Sequence, residues 1–290
     1  MLEGIFEEIA EWMHGLLADM VLADMEAMYA DADGQAGMIA GAVAVTPQGW
    51  NAPVYSMIRN LSDSIMMPVA GIIITYVLCY ELVSMLTEKN NMHDIDTWMF
   101  FKYLIKAWIA VYLVSHTFDI TLAVFEMGSR MAKTAAESIR GSTAPDAAEL
   151  TRMLEEKMEG MGLGELFLLE IEASFVTVGT QILSALTAVI LYARMVEIYL
   201  YISVAPVPFA TFSNREWGQI GNNYLRGLFA LAFQGFFIMA CVGINAVLVE
   251  SVHTADNIHA ALFGTAAYMA ILFVSLRRTK GLSQSVFSAH

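Results

Sequence analysis

The sequence has almost no cysteine, and the two cysteines it has are not arranged to do chemistry. Cys79 and Cys241 each lie inside an apolar run of this 290-residue chain. Cysteines in such positions pack as small apolar residues and do not make a disulfide framework or a thiolate metal site. The six histidines are scattered, and none is paired with a cysteine at metal-ligand spacing. We therefore expect neither a metal nor any other cofactor.

Sequence motifs of the common enzyme classes are also absent. The chain contains no G-x-x-x-x-G-K-[ST] for nucleotide phosphates, no H-E-x-x-H for zinc and no G-x-S-x-G for a nucleophilic serine. Basic residues are scarce, with 15 Lys and Arg against 29 Asp and Glu and a net charge of −14. A protein with this excess of acidic residues repels the phosphates of a nucleic acid and does not bind them. The sequence therefore predicts a non-enzyme without a dedicated nucleic-acid-binding surface.

What the chain has in excess is apolar sequence. Hydrophobic residues make up 57% of it, charged residues only 15%, and its mean hydropathy is +0.57. Soluble domains are roughly 45–50% apolar, and about 20 apolar residues suffice to cross a bilayer. The runs that are long enough are residues 64–86, 100–125, 175–204, 226–249 and 258–276. We therefore expect an all-α, polytopic membrane helix bundle with about five transmembrane helices.

The segments outside these runs predict an N-terminal helix, a connector and short extramembrane helices. Residues 2–29 place apolar side chains at helical spacing and acidic ones on the other face, which predicts an amphipathic helix. Three placements of this helix are open: on a partner, in the outer interface of the bilayer, or over the protein's own bundle. Residues 31–53 are rich in glycine and alanine and contain two prolines, which predicts a connector. The longest polar segment, residues 127–172, predicts two or three short helices.

Residues 185–210, which continue the third run to its end, contain two charged residues inside an apolar stretch. Arg194 and Glu197 lie three residues apart and share one helix face, and a charge inside a spanning helix costs roughly 3 kcal/mol. This spacing predicts an intramembrane ion pair that either sets the helix register or contacts a substrate. Pro206 and Pro208 follow, and they predict a helix break because each lacks an N–H and fixes φ.

Two polar segments extend this candidate site. After the break comes a polar turn that we expect to be a cytoplasmic docking loop. Its residues are Asn214, Arg215, Glu216 and Trp217. A basic cluster follows the fifth run at once, and its members are Arg277, Arg278 and Lys280. By the positive-inside rule this cluster anchors the C-terminus in the cytoplasm, and five spans then place the N-terminus outside.

These expectations divide the chain into five parts. They are an extracytoplasmic amphipathic helix and connector (1–62), transmembrane helices one and two with a cytoplasmic loop at 87–102 (63–126), an extracytoplasmic helical loop (127–172), transmembrane helices three to five with a cytoplasmic loop at 205–226 (173–276) and a cytoplasmic tail (277–290). The expected location is the cytoplasmic membrane, crossed several times, with the N-terminus outside and the C-terminus inside.

A series of short motifs runs through the chain from about residue 51 onward. They are Pro68-Val-Ala-Gly71 with the later YVLCYELVSM, EKNNMHD with FFK, Ala193-Arg-Met-Val-Glu-Ile-Tyr-Leu200, Ala205-Pro-Val-Pro-Phe-Ala210, Asn214-Arg-Glu-Trp217, Asn223-Tyr-Leu225, Phe233-Gln-Gly235 and the terminal GLSQSVFSAH. With these motifs in this order, the chain resembles the polytopic TrbL-type subunit of conjugative type IV secretion systems, in the version carried by integrative conjugative elements of Firmicutes.

The resemblance implies a multi-pass subunit in the inner-membrane part of a DNA-export machine. It implies partners among the other secretion subunits, including the system's ATPases and coupling protein, besides the lipid bilayer. On this basis we expect a homo-oligomeric channel or scaffold that supports transfer of single-stranded DNA and attached protein, with transient contact to the DNA. Two other functions stay open: a secondary transporter, for which charged residues at broken helices are typical, and a purely structural assembly subunit.

Overall fold

The structure is a computed structural model that describes residues 2–87, 97–139, 147–214, 216–250 and 257–289. Helices account for almost all of these residues, and no strand occurs among them. A short π-helical turn, Ser62–Met66, joins the third and fourth helices. The helices are α1 (Leu2–Ala44), α2 (Pro47–Trp50), α3 (Ala52–Leu61), α4 (Met67–Thr87), α5 (Thr97–Ser115), α6 (Thr117–Ile139), α7 (Ala147–Met158), α8 (Leu163–Val204), α9 (Pro206–Ala210), α10 (Gly218–Glu250) and α11 (Ile258–Val286).

Five helical segments are long and apolar enough to cross a membrane. They are Ala52–Thr87, Thr97–Ser115, Leu163–Ala210, Gly218–Val249 and Ile258–Val286. The first combines α3, the π-helical turn and α4, and the third combines α8 and α9. The prediction of an all-α polytopic bundle with about five membrane helices is therefore confirmed. The physical reason is that a helix satisfies all its backbone groups within itself, as a lipid environment requires.

α1 is longer than the sequence predicts. The expected connector at residues 31–53 is wrong for its first part, because α1 continues through it without interruption. Burial explains the extension: Ile39 and Val43 are almost fully buried, so tertiary packing stabilises a stretch whose glycines disfavour helix. The first break comes at Thr46, whose hydroxyl caps α2 by accepting a hydrogen bond from the Gly49 N–H at 3.2 Å.

The second candidate span ends earlier than expected. The apolar run at residues 100–125 is divided by a turn at His116, so the span is α5 and the following residues begin α6. Thr117 contributes to this junction, because its hydroxyl donates to the Leu113 carbonyl at 2.9 Å and to the Val114 carbonyl at 2.8 Å. Threonine hydroxyls that bond back to the preceding turn often bend helices. α6 itself is not among the five candidate spans.

The helices build two compact units, and the first consists of Met1–Val43, Ala132–Leu191 and Phe237–Arg278. One of its cores joins α1, α7, α8 and α11 and includes the fully buried Met25 and Leu166. A second core includes Ile39 of α1, Ile238 of α10 and Leu276 of α11. Both cores recruit side chains from α1, so this helix is an integral part of the unit.

The two halves of α1 have different surroundings within this unit. From Leu17 onward the helix packs against the core, and the Ser174 hydroxyl of α8 donates to the Asp24 carboxylate at 2.5 Å. Before that point large apolar side chains remain exposed, and they include Ile5, Phe6, Ile9, Trp12 and Met13. The second half of α1 therefore covers the protein's own bundle, whereas the first half is left for a partner or for the bilayer interface.

The second unit consists of Ala44–Met131, Tyr192–Phe236 and Thr279–His290. One of its cores joins α3, α6, α8 and α10 and includes Phe125, Ile202 and Leu228. The other core joins α4 and α5 to the short helix α9. This unit contains Arg194, Glu197 and both prolines of the break, so it positions the candidate site.

Candidate functional site

Arg194 is a residue of α8 whose side chain is buried in the protein, with 6% of its surface exposed. Its Nη2 donates to the Leu231 carbonyl oxygen of α10 at 3.4 Å, and its Nε has no hydrogen-bond partner among the described residues. A guanidinium carries five N–H donors, so this contact uses little of its bonding capacity. A charged group that is buried in a spanning helix and poorly bonded costs free energy. Arg194 is therefore the strongest candidate for a functional residue in this unit.

Glu197 takes a different partner from the one expected. The Lys280 ammonium of α11 lies against its carboxylate, with Nζ and Oε1 2.6 Å apart. The expected pair between Arg194 and Glu197 is not formed as a direct contact, although Glu197 is near enough to act electrostatically on Arg194. The i, i+3 rule considers one helix only. Here Arg194 bonds to the Leu231 carbonyl of α10, and the Glu197 carboxylate pairs with Lys280 of α11.

A small cleft with a cavity volume of about 10 Å³ opens beside this ion pair. Its lining includes Glu197, Tyr201, Gly227, Gln234, Lys280 and Gln284. The buried Gln234 donates through Nε2 to the Thr279 hydroxyl at 3.3 Å, while its Oε1 has no hydrogen-bond partner among the described residues. Ligand pockets usually measure about 300–1,000 Å³. The cleft is smaller than that, and we assign no ligand to it.

The two prolines interrupt α8, but a further helix follows at once. α8 ends one residue before Ala205, and Pro206 is the first residue of α9, where the missing N–H costs no intrahelical bond. Pro208 is buried within the same short helix. The Phe209 N–H already bonds to the Ala205 carbonyl at 3.2 Å, so helical bonding resumes within one turn. The expected loop at residues 205–226 is thereby reduced to a short turn between α9 and α10.

The polar turn is held by the protein's own contacts. Asn214 is 6% exposed, and its Oδ1 accepts hydrogen bonds from the N–H groups of Glu216 at 2.7 Å and Trp217 at 2.9 Å. These bonds close the turn that precedes α10, as asparagine side chains commonly do. Glu216 in turn accepts a hydrogen bond from the Tyr80 hydroxyl of α4 at 3.2 Å. Asn214 is thus structural, Arg215 lies outside the described residues, and Glu216 and Trp217 are exposed.

The basic cluster lies on α11 rather than on a free tail. Arg277 and Arg278 are exposed, whereas Lys280 is engaged in the ion pair. Beyond the cluster the helix continues, and the Ser283 hydroxyl donates to the Ala230 carbonyl of α10. The end of α11 is therefore packed on α10, and the two exposed arginines are the ones free to act as the predicted cytoplasmic anchor.

The ion pair between Lys280 and Glu197 predicts a measurable coupling. Lys280→Met should lower the melting temperature of the purified protein, because it leaves a partly buried carboxylate without its cation. Both side chains retain some exposure, so the coupling in a double-mutant cycle with Glu197→Gln should be up to about 1 kcal/mol. The control is Arg278→Met, which removes an exposed cation from the same helix. Equal melting temperatures for the two methionine variants would refute the coupling.

The two hydrogen bonds that Asn214 accepts predict a second stability effect. Asn214→Ala removes the acceptor of two backbone N–H groups and should destabilise the protein by about 0.5–2 kcal/mol. The matched control is Asn222→Ala, which changes an exposed asparagine of α10 and should be close to neutral. Thermal unfolding in detergent measures both variants. A neutral Asn214→Ala variant would contradict this role in holding the turn.

Two contacts of the site have no signal in the sequence. The Leu231 carbonyl that receives Arg194 belongs to an ordinary apolar residue. Tyr199 is 2% exposed, and its hydroxyl donates to the Pro47 carbonyl at 2.6 Å, which fastens α8 to the segment before α3. Both contacts join residues far apart in the chain.

Within the described residues, no group of three His, Cys, Asp or Glu side chains could hold a metal ion.

A comparison with protein families identifies a family for this chain. A family model described as TrbL/VirB6 plasmid conjugal transfer like protein matches residues 33–206, which is more than half of the chain. The matched segment runs from α1 to the first proline of the break, so it includes Arg194 and Glu197. No curated protein and no solved structure matches the chain significantly.

Proposed function

The chain belongs to the TrbL/VirB6 plasmid conjugal transfer family, and from this premise we propose that it is a channel or scaffold subunit of a conjugative type IV secretion system. Membership and the apolar helices make it a multi-pass membrane subunit of a conjugal transfer system. The finer proposal is that it supports passage of single-stranded DNA with attached protein across the cytoplasmic membrane, in transient contact with the DNA.

The buried arginine is the observation that carries this finer proposal. A subunit that served only to hold others together would have no need of an under-bonded guanidinium in a spanning helix, since an apolar side chain there would cost less. Arg194 lies in the family-matched segment and has an unused N–H donor. A nucleic acid backbone offers phosphate oxygens that accept hydrogen bonds from arginine. These features support a residue that acts on the transported substrate or on its path.

The partners follow from the family and from the exposed surfaces. We propose that the C-terminal end, with Arg277 and Arg278, lies in the cytoplasm and meets the system's ATPases and coupling protein, together with the exposed Glu216 and Trp217. The apolar first half of α1 would then lie outside and contact other secretion subunits. In this proposal the subunit acts as a homo-oligomer.

A mating assay tests the proposal directly. In a donor with a clean deletion of this gene, the transfer frequency of a marked element should fall to the background measured when donor and recipient cells are kept apart. A plasmid-borne wild-type copy should restore the transfer frequency. Donor growth and excision of the element are the controls, since neither requires export. In the complemented donor, formaldehyde cross-linking followed by precipitation of this subunit should recover the transferred strand.

The two readouts separate the competing functions. Undiminished transfer in the deletion strain would overturn the proposal and favour a secondary transporter. If the deletion abolishes transfer but no transferred strand is cross-linked to the subunit, the protein is an assembly subunit and not part of the channel. Substrate-dependent flux in proteoliposomes that contain only this chain would favour the transporter independently.

A further inference from the structure

α9, the helix that contains both prolines, is buried between two of the candidate membrane spans. Phe209 is 4% exposed and Ala210 is 1% exposed, and both belong to the core built with α4 and α5. The residues of those helices in the same core are Ala70, Ile74, Ala110 and Val114. The helix that follows the break is therefore packed against protein and does not form a loop.

The contact with α4 sets the depth of α9 in the bilayer. Ala70 and Ile74 lie near the middle of residues 64–80, a run that contains no charged side chain. As a helix this run rises about 25 Å, close to the roughly 30 Å of the hydrocarbon core. Ile72, between the two contact residues, is 72% exposed, as a side chain facing lipid would be. A segment packed against Ala70 and Ile74 therefore lies within the hydrocarbon core.

The turn that follows α9 ends at a level marked by aromatic side chains. Trp217 stacks on Tyr76 of α4, with ring centroids 5.5 Å apart, and Glu216 accepts a hydrogen bond from Tyr80. Tryptophan and tyrosine concentrate at the membrane–water interface. From Tyr80, α4 continues to Thr87, a further rise of about 10 Å. The turn thus stops short of the end of α4.

The Thr211 hydroxyl in this turn is hydrogen-bonded inside the protein, as this depth requires. The Thr211 hydroxyl donates to the Pro208 carbonyl at 2.7 Å and accepts from the Gly221 N–H at 3.1 Å. A Cβ at Gly221 would lie 2.8 Å from the Pro208 carbonyl oxygen, so only glycine permits this closure. Irregular backbone at membrane depth is tolerated only where protein surrounds it.

We propose that α8, α9 and α10 form a transmembrane hairpin that is broken within the membrane. Its proline break lies inside the hydrocarbon core, and its turn ends at the interface without projecting into the cytoplasm. This inference goes beyond the family-based function and does not depend on it. Among the described residues of the turn, 211–214 and 216–217, it leaves Glu216 and Trp217 exposed for cytoplasmic partners, whereas Asn214 is buried.

Spin labels at single cysteines can measure the depth of the break. In a background with Cys79→Ser and Cys241→Ser, one cysteine at a time replaces Val207 of α9, Ile72 of α4 or Thr87 at the end of α4. The full-length protein is reconstituted into liposomes of phosphatidylethanolamine and phosphatidylglycerol. The accessibility of each label to lipid-soluble oxygen and to a water-soluble nickel chelate then reports its depth.

The label at Val207 should resemble the one at Ile72, with an oxygen-to-nickel ratio several-fold above that at Thr87. Because Val207 is half-buried, a label at the more exposed Val204 provides a second measurement with the same expected result. A ratio at Val204 and Val207 equal to that at Thr87 would overturn the proposal. Nickel accessibility at Ile72 would overturn it too, since α4 would then not cross the membrane at this depth.

Discussion

Gly128→Ala will destabilise the protein by about 1–3 kcal/mol, because there is no room for a methyl group between α6 and α10. A Cβ at Gly128 would lie 2.5 Å from the carbonyl oxygen of Ala232 and 3.0 Å from its carbonyl carbon. Both atoms belong to the backbone, so no rotamer change relieves the overlap and the helices must move apart. For a chain of this size the melting temperature should fall by about 2–4 °C for each kcal/mol.

Gly179→Ala is the matched control for this effect. Gly179 also lies in a long helix, but a Cβ there would have no neighbouring atom within 4 Å. The same change should therefore be neutral or stabilising by up to about 1 kcal/mol, because alanine favours helix over glycine. Size-exclusion profiles after heating in detergent measure both variants. If the two substitutions behave alike, close packing of α6 on α10 at Gly128 is wrong.

Arg194→Met will separate stability from function. Methionine fills a similar length without charge, so it removes the cost of a buried and poorly bonded guanidinium. Exchanges of buried ionic groups for apolar ones are often neutral or stabilising by about 1–4 kcal/mol. We therefore expect wild-type amounts of protein and an unchanged or higher melting temperature. Transfer in the mating assay should nevertheless fall to the level of the deletion strain.

The control for Arg194→Met is Val196→Met on the exposed face of the same helix. It introduces the same side chain two residues away and should restore transfer fully. If Arg194→Met also restores transfer, the arginine has no role in export. If instead Arg194→Met lowers the amount of protein as strongly as it lowers transfer, its role is structural and the arginine must have bonding partners in the assembled complex.

The membrane-spanning character of the chain could be predicted from sequence because it depends on local composition. A run of about 20 apolar residues crosses the bilayer as a helix whatever its neighbours are. The break after residue 204 was equally predictable, since proline cannot donate the backbone bond that continues a helix. The family could be recognised for a related reason, because its motifs are short and continuous in the sequence.

The ends of helices were harder to predict where packing outweighs local preference. The glycines of residues 34–44 favour a connector, yet buried side chains such as Ile39 keep this segment in α1. At His116 the reverse occurs, because an apolar run that looks continuous is divided by a threonine that bonds back to the preceding turn. Neither outcome depends on hydrophobic periodicity alone.

By itself, the sequence determined the helical class, the number of candidate spans, the place of the break and the family. The tertiary structure alone decided which charges meet: Glu197 pairs with Lys280, while Arg194 turns to the Leu231 carbonyl. It also decided that Asn214 is buried and closes the turn before α10. The physical reason is that composition acts over one or two turns, whereas these partners come from other helices and meet only after the chain has packed.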